Sequence, residues 1–484
     1  MTKVFLIGPG PIWGPETTFF NAQALRTWHI ATVLREAGHE VILTILQAEG
    51  AARKEPNQPP LIAGEKDGLP YATVNAADPA EIVPIVQSRF DQYESDCLVA
   101  INLNAAWIAS QLATCHPMWV DLYGHLMGEA QAKSYRYTSD DYLAHFWARE
   151  RLVLRRGDRF STASYRQMYA TLGELGAVGR LNQYTPTHSF VDVIPAAASR
   201  IFVEIPNLRP PFLYRGKRFP PDAFAVLWSG GFNTWTDPQA LAGALSLAME
   251  RDKNIYFVAT GAAIPGHDEI TYQQFVSEME KSGYADRCLL LGWIEAKDLP
   301  ALYRECDLGL NMDALNYETL FGTRTRLVNM MAAGLPILTT LGTELSEIIR
   351  EYQLGYTVKV GDVQGYADMI LHAARNTAER RTIAAKARQY ALTHFSEQAV
   401  ARPLLRWIQN PGRAPDNEEK IHRFPNIKNP LEAALSPLEL ELKTLSEIPL
   451  EELLAAHRDL RIIRNKPLVR MYRSLKRWFR TPEA

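Results

Sequence analysis

Little in this chain of 484 residues points to a membrane, a secretory route or nucleic acid. No stretch reaches the roughly 18 consecutive apolar residues that a membrane span needs. The N-terminus, "MTKVFLIGPGPIWGPE", breaks its short apolar run at Gly and Pro. It reads as a buried first strand and not as a secretion signal. A surplus of one charge is missing too. Lys and Arg number 52 against 54 Asp and Glu, a formal net charge of −2 that gives no general attraction to nucleic acid. The four cysteines, Cys97, Cys115, Cys288 and Cys306, have neither metal nor redox spacing. They are expected to be reduced thiols of a cytoplasmic protein. No D-x-D pair offers itself to a divalent cation, so no metal and no cofactor is expected.

What is present is an ordinary globular composition, 47% hydrophobic and 22% charged, on a chain too long for one core. "KVFLIG" (3–8), "EVILTIL" (40–46), "CLVAIN" (97–102), "MWVDLYG" (118–124) and "RFSTAS" (159–164) are strand candidates. A helix capped by Asn21 and ended by Gly38 separates the first two. Near-continuous apolar strands alternating with helices imply a parallel sheet covered on both faces. The proline-rich stretch 206–223 interrupts the pattern, which then restarts with strands expected at 224–231, 254–261, 288–293, 307–312, 336–340 and 355–360. The expectation is an α/β protein of two doubly wound, Rossmann-like domains facing a cleft: 1–205 on the acceptor side and 224–395 on the donor side. A crossover helix follows at 396–415, then a linker and tail at 416–484. In such sheets ligands sit beyond the C-terminal ends of the strands.

The chemistry concentrates in "YETLFGTRTRLVNMMAAGLPILTT", Tyr317 to Thr340. Thr323 is placed to cap a helix from about Arg324 to Ala333, ended by Gly334 and Pro336. Free N–H groups and a positive dipole end make that start an anion site, to which Arg324 and Arg326 add full charges. Arg326 and Asn329, three apart, share a face, which makes Arg326 the better ligand-facing residue. Glu318, on the preceding loop, would accept hydrogen bonds from hydroxyls. A second helix start, "LWSGGFNTWTDPQALAGAL", passes from a strand through Gly230, Gly231 and Asn233 to Asp237 and Pro238. The paired glycines let backbone approach a ligand closely. Together the two starts form a diphosphate cradle. In the first half, Asp121 ends a strand ahead of His125 and Glu129, and Gly8 and Gly10 open a long loop toward the cleft. "GPGPIWG" is no nicotinamide-dinucleotide loop, because its helix begins about ten residues too late.

These residues resemble the donor-binding signature of GT-B fold glycosyltransferases, most closely family 4 (glycosyl transferases group 1). There a glutamate-bearing loop, E-x7-E, precedes a helix ending "EAMAAGLPVV". "NMMAAGLPIL" is similar to that ending. "RTWHIATVLREAGHEVILT", "LGWIEAKDLPALYRECDLGLNM" and "HFSEQAVARPLLRWIQNP" extend the likeness over most of 1–410. The resemblance implies sugar transfer from a nucleotide-sugar donor with retention of configuration. It puts Asn329 where the family's second glutamate meets the ribose. It puts the first glutamate's place on Phe321, so that Glu318 fills the role only across a loop about three residues longer. The family's Arg and Lys against the diphosphate are missing from "SGGFNTWTD", a charge that Arg326, with Arg324 second, is expected to supply. Asp121 stands where the family often carries a histidine near the transferred sugar. There it would steady positive charge or act as a base toward the acceptor, with His125 beside it.

The expected activity is therefore metal-independent transfer of a sugar to a saccharide or lipid-linked acceptor hydroxyl, in cell-envelope polysaccharide or glycolipid synthesis. The alternatives are a nucleotide-sugar epimerase or hydrolase on the same scaffold, and a non-catalytic scaffold of a polysaccharide-assembly complex. The tail carries Arg464, Lys466, Arg470, Arg473, Lys476, Arg477 and Arg480 around an apolar helical face of Leu468, Met471, Tyr472, Leu475, Trp478 and Phe479. Residues 464–484 are thus expected to lie on an anionic membrane surface or an acidic protein face, peripheral to the cytoplasmic side.

Overall fold

A computed structural model describes residues 1–417 apart from 16, 19–20, 48–53, 56 and 210. The basic tail 464–484 lies outside the described residues. Of the strands in the first sheet, β1 (Lys3–Pro9) and β2 (Glu40–Leu46) flank the helix Ala22–Glu36, which Asn21 caps by accepting from the Ala24 N–H. The hairpin β3 (Leu61–Lys66) and β4 (Leu69–Val74) follows, then β5 (Cys97–Ile101), β6 (Met118–Asp121), β7 (Arg159–Thr162) and β8 (Val191–Val193). Their spatial order is β3-β4-β2-β1-β5-β6-β7-β8, with β3 alone antiparallel. The hairpin and β8 escape the sequence pattern. Leu61–Lys66 is half-exposed along its length, and Val191–Val193 is three residues long, so neither has the buried apolar run that marks the others.

The second sheet holds β9 (Phe224–Ser229), β10 (Ile255–Thr260), β11 (Cys288–Leu290), β12 (Leu308–Asn311), β13 (Ile337–Leu341) and β14 (Tyr356–Lys359). It is parallel throughout, in the order β11-β10-β9-β12-β13-β14. Each sheet reverses its winding beside its first strand, between β1 and β5 and between β9 and β12, and the crevices of an open α/β sheet form at such points.

The two domains belong to one compact unit, Met1–Glu419. One apolar cluster runs through both, from Val4 and Trp119 of the first to Met330 and Ile337 of the second. The stretch between the domains is strapped to the second. Buried Glu305 accepts the N–H groups of Leu213 and Tyr214, both at 2.8 Å, and that of Arg215. After the long helix Thr377–His394 the chain returns to the first domain. There the Arg200 Nε donates to Glu397 at 2.8 Å, Trp407 packs 5.5 Å from Trp119, and Arg180 pairs with Asp416 at 2.7 Å. Among the described residues no helix is long and apolar enough to cross a membrane.

Candidate functional site: a cavity between the two domains

The strand ends of both sheets open onto a cavity of about 970 Å³ that both domains line. Its donor-side wall starts at the end of β9. Gly230 adopts φ +96°, its N–H donates to the Thr260 carbonyl (2.9 Å), and Gly261 at φ +85° packs beneath it. A Cβ on Gly261 would lie 2.4 Å from the Gly230 carbonyl carbon, so glycine there is a requirement of the turn. Gly230, Gly231 and Asn233 all line the cavity. The helix Pro238–Arg251 does not border it. Asp237 satisfies that helix by accepting from Ala240 N–H at 2.9 Å. The expected cradle of two helix starts is thus one helix start and one glycine turn.

Arg326 joins those two features. Its Nη2 donates to the Gly231 carbonyl at 2.8 Å and its guanidinium lies 4.2 Å over the Trp228 ring, while Nη1 is buried with no partner. Burial, with Arg324 nearby, depresses its pKa to about 10. A desolvated cation with an unused donor is costly unless an anion completes it.

Arg324 is different. It precedes the helix Thr325–Ala332, its Nε donates to Asp313 at 2.8 Å, and it holds both Glu318 oxygens at 2.8 and 2.9 Å. Burial alone would lower its pKa; Asp313 and Glu318 more than offset this and raise it. The expectation that Arg324 assists on a diphosphate is corrected, because two carboxylates already neutralise it. Thr323 lines the cavity but makes no cap, since the helix starts two residues later with Arg324 in the cap position. Glu318 also lines the cavity, on a short helix, Tyr317–Phe321, capped by Asn316 and not on a loop. Burial raises its pKa and Arg324 opposes the rise. Asn329 lines the cavity with its Oδ1 accepting the Ser199 N–H at 3.1 Å across the domains.

On the first domain the structure corrects four assignments. Asp121 is fully buried, held by Arg26 Nε and Nη2 at 2.9 Å each and by the Ser161 hydroxyl at 2.7 Å, and it does not line the cavity. A carboxylate bound on both oxygens at the end of β6, outside the cavity lining, positions no acceptor. His125 is also outside the lining. Its Nδ1 accepts the Gly128 N–H at 3.0 Å to cap the helix Leu126–Tyr137, and its Nε2 meets Glu174 at 3.1 Å. Gly8 and Gly10 face inward instead. A Cβ would meet Thr27 Oγ1 or Ile45 Cγ2, each at 2.5 Å, and only Pro9 between them reaches the cavity. The loop they open does cross the cleft, where the Thr17 and Pro15 carbonyls accept the Ala296 and Lys297 N–H groups, both at 3.0 Å.

In place of those four, the wall is built from Asn102 and Tyr123, non-glycine residues at φ +68° and +59° at the ends of β5 and β6, and from Glu129. The Tyr123 hydroxyl also bonds Thr325 across the domains. Burial, reinforced by Glu318, raises the Glu129 pKa to about 8. Its sequence signal was the spacing in "HLMGE", which puts His125 and Glu129 one turn apart. Among the described residues no three His, Cys, Asp or Glu side chains gather as metal ligands would.

Residues 223–376 match the sequence model of the family glycosyl transferases group 1. Spore coat protein SA of Bacillus subtilis (strain 168) is 25% identical over 190 residues, 37% of this chain and 47% of that protein, so the match spans about half of that relative's length. In fold the chain is similar to sucrose-phosphate synthase of Thermosynechococcus elongatus (TM-score 0.63, 15% identity, 84% of this chain and 98% of that one). It is also similar to Anabaena HepE solved with UDP-glucose (TM-score 0.56, 14% identity, 84% of this chain and 100% of that one). The architecture is GT-B.

Proposed function

We propose, from a second domain that matches the model of the group 1 glycosyl transferases, that the chain moves a sugar from a nucleoside diphosphate donor to an acceptor hydroxyl in the interdomain cavity. One observation carries the reading: the buried, partnerless Nη1 of Arg326 beside the Gly230–Gly231 turn. A glycine turn, a helix start and a desolvated guanidinium at one point are what a diphosphate needs. Arg326 then stabilises the charge that develops on the departing diphosphate.

Glu318 keeps acceptor capacity beyond its two Arg324 bonds and takes sugar hydroxyls from the cavity wall. Asn329, with Oδ1 committed to Ser199, offers its Nδ2 to the ribose. Supplying the positive charge from Arg326 fits a reaction without a divalent metal, and the family likeness favours retention. HepE, a protein of like fold, was solved with UDP-glucose, which makes uridine the first base to try. A saccharide or lipid-linked acceptor in envelope polysaccharide or glycolipid synthesis follows if residues 464–484 dock on anionic membrane. Co-sedimentation of the full chain, but not of a chain lacking 464–484, with anionic liposomes tests that part.

A thermal-shift screen against uridine, guanosine, adenosine and thymidine diphosphate sugars tests the donor. Ligand at a hundred times Kd stabilises by about 2.7 kcal/mol, so one series should stand out. No shift with any of them would overturn sugar transfer. Turnover independent of any acceptor would instead mark a hydrolase or epimerase.

A further inference from the structure

On the retaining reading, acceptor and departing diphosphate share one face of the sugar. The acceptor oxygen bonds to the anomeric carbon as the bond from that carbon to the diphosphate breaks. The departing diphosphate oxygen keeps the electron pair and takes the acceptor's hydroxyl proton. No protein base is needed, so the main task of the chain is placement, with reacting atoms held about 3–3.5 Å apart. The glycine turn and Arg326 belong to the second domain, while Asn102, Tyr123 and Glu129 form the wall of the first. We infer that Tyr123 is a positioning residue whose hydrogen bond to Thr325 sets one wall in register with the other, an inference that rests on the sugar-transfer reading of this cavity.

Tyr123 follows β6, is buried, and lines the cavity. Its backbone is left-handed, at φ +59°, in the middle of a three-residue turn that the Gly124 N–H closes on the Leu122 carbonyl at 2.7 Å. A γ-turn with positive φ at its centre is the rare and strained form, and a bulky side chain seldom adopts it. Such strain persists only where surrounding contacts over-determine it, and it gathers at functional sites. One such contact is the hydroxyl itself, hydrogen-bonded to Thr325 Oγ1 in the other domain.

Thr325 opens the helix Thr325–Ala332 and directly precedes Arg326. One turn further along the same face, Asn329 accepts the Ser199 N–H at 3.1 Å. The helix that carries the guanidinium is thus tied twice to the first domain, while Arg326 itself is tied to Gly231 of the second. Thr325 and Asn329 line the cavity, so both ties lie in the site. Other bonds between the domains, Arg136 Nη1 to Gln274 at 3.0 Å and Arg166 Nη1 to the Gly342 carbonyl at 2.9 Å, join residues outside its lining. They survive loss of the Tyr123 hydroxyl, so Y123F should keep the domains together and alter their register at the cavity.

Calorimetry of UDP and of UDP-glucose binding to the full chain tests this. UDP, held by groups of the second domain, should bind Y123F and T325V within twofold of wild type. UDP-glucose carries the sugar across to the first wall, and the net worth of a neutral hydrogen bond corresponds to roughly two- to twelvefold in affinity. Its affinity should fall at least threefold in Y123F and in T325V, and no further in the double variant. T325S, which keeps the hydroxyl, should restore it. A bond that is merely structural would lower the urea midpoint and leave the ratio of the two affinities unchanged. That ratio at its wild-type value in Y123F overturns the inference while leaving donor binding standing. A wild-type chain that binds neither ligand overturns the donor reading, and the inference falls with it.

Discussion

Arg324 grips Glu318 through its two terminal guanidinium nitrogens, at 2.8 and 2.9 Å, within the wall of the cavity where a donor would lie. The pair is buried and Asp313 completes it at 2.8 Å. Removing the arginine leaves two buried carboxylates without a countercharge. R324A should therefore destabilise the fold by about 3–5 kcal/mol, measured as a lower midpoint of urea unfolding. A midpoint within error of wild type would show that the cluster is not what holds this wall.

Arg26 and Asp121, at the C-terminal end of β6, form a second buried pair. D121A strands Arg26, whose remaining partners are the Ile194 and Pro195 carbonyls at 2.8 and 2.6 Å. A loss of about 3–5 kcal/mol in stability is expected, with UDP affinity of the folded protein unchanged by calorimetry. A wild-type midpoint together with lost catalysis would restore Asp121 to the chemistry.

Acid should weaken the fold through His29. Burial above all, then the charges of Arg26 and Arg200, lower its pKa to about 3. The native state refuses a proton that the unfolded chain takes up below about pH 6.5. The depressed pKa belongs to a base, so stability is full above 6.5 and is lost as pH falls toward 3. Between pH 7 and 5 this one residue accounts for about 2 kcal/mol. H29Q should show a smaller fall in unfolding free energy over that interval, and equal falls in both proteins would remove His29 as the cause.

The sheets were legible because their strands are buried on both faces: Val4–Ile7, Cys97–Ile101 and Ala225–Leu227 are unbroken apolar runs. The caps Asn21 and Asp237 were equally readable, since each acts within three residues of itself. On the donor side the sequence also pointed to residues that do line the cavity: Gly230, Gly231, Asn233, Glu318, Thr323, Arg326 and Asn329. Asp121, His125 and Arg324 misled because a charged residue at a strand or helix end looks the same whether it faces a ligand or a partner. Arg26 lies 95 residues from Asp121, and Glu174 lies on another helix from His125. No local pattern announces those pairings. Glu129 went the other way: in the first turn of its helix it looks like a surface acid, and only the packing puts it in the cavity wall.

The central claim is that Arg326, and not Arg324, completes itself on the donor's diphosphate. Calorimetric titration of UDP into wild type and R326A measures this directly. A charged hydrogen bond contributes roughly 1.5–3 kcal/mol, so affinity should fall well over tenfold. The unfolding midpoint should hold or rise, because a desolvated cation with an orphaned donor has been removed. Undiminished UDP affinity in R326A would contradict the account.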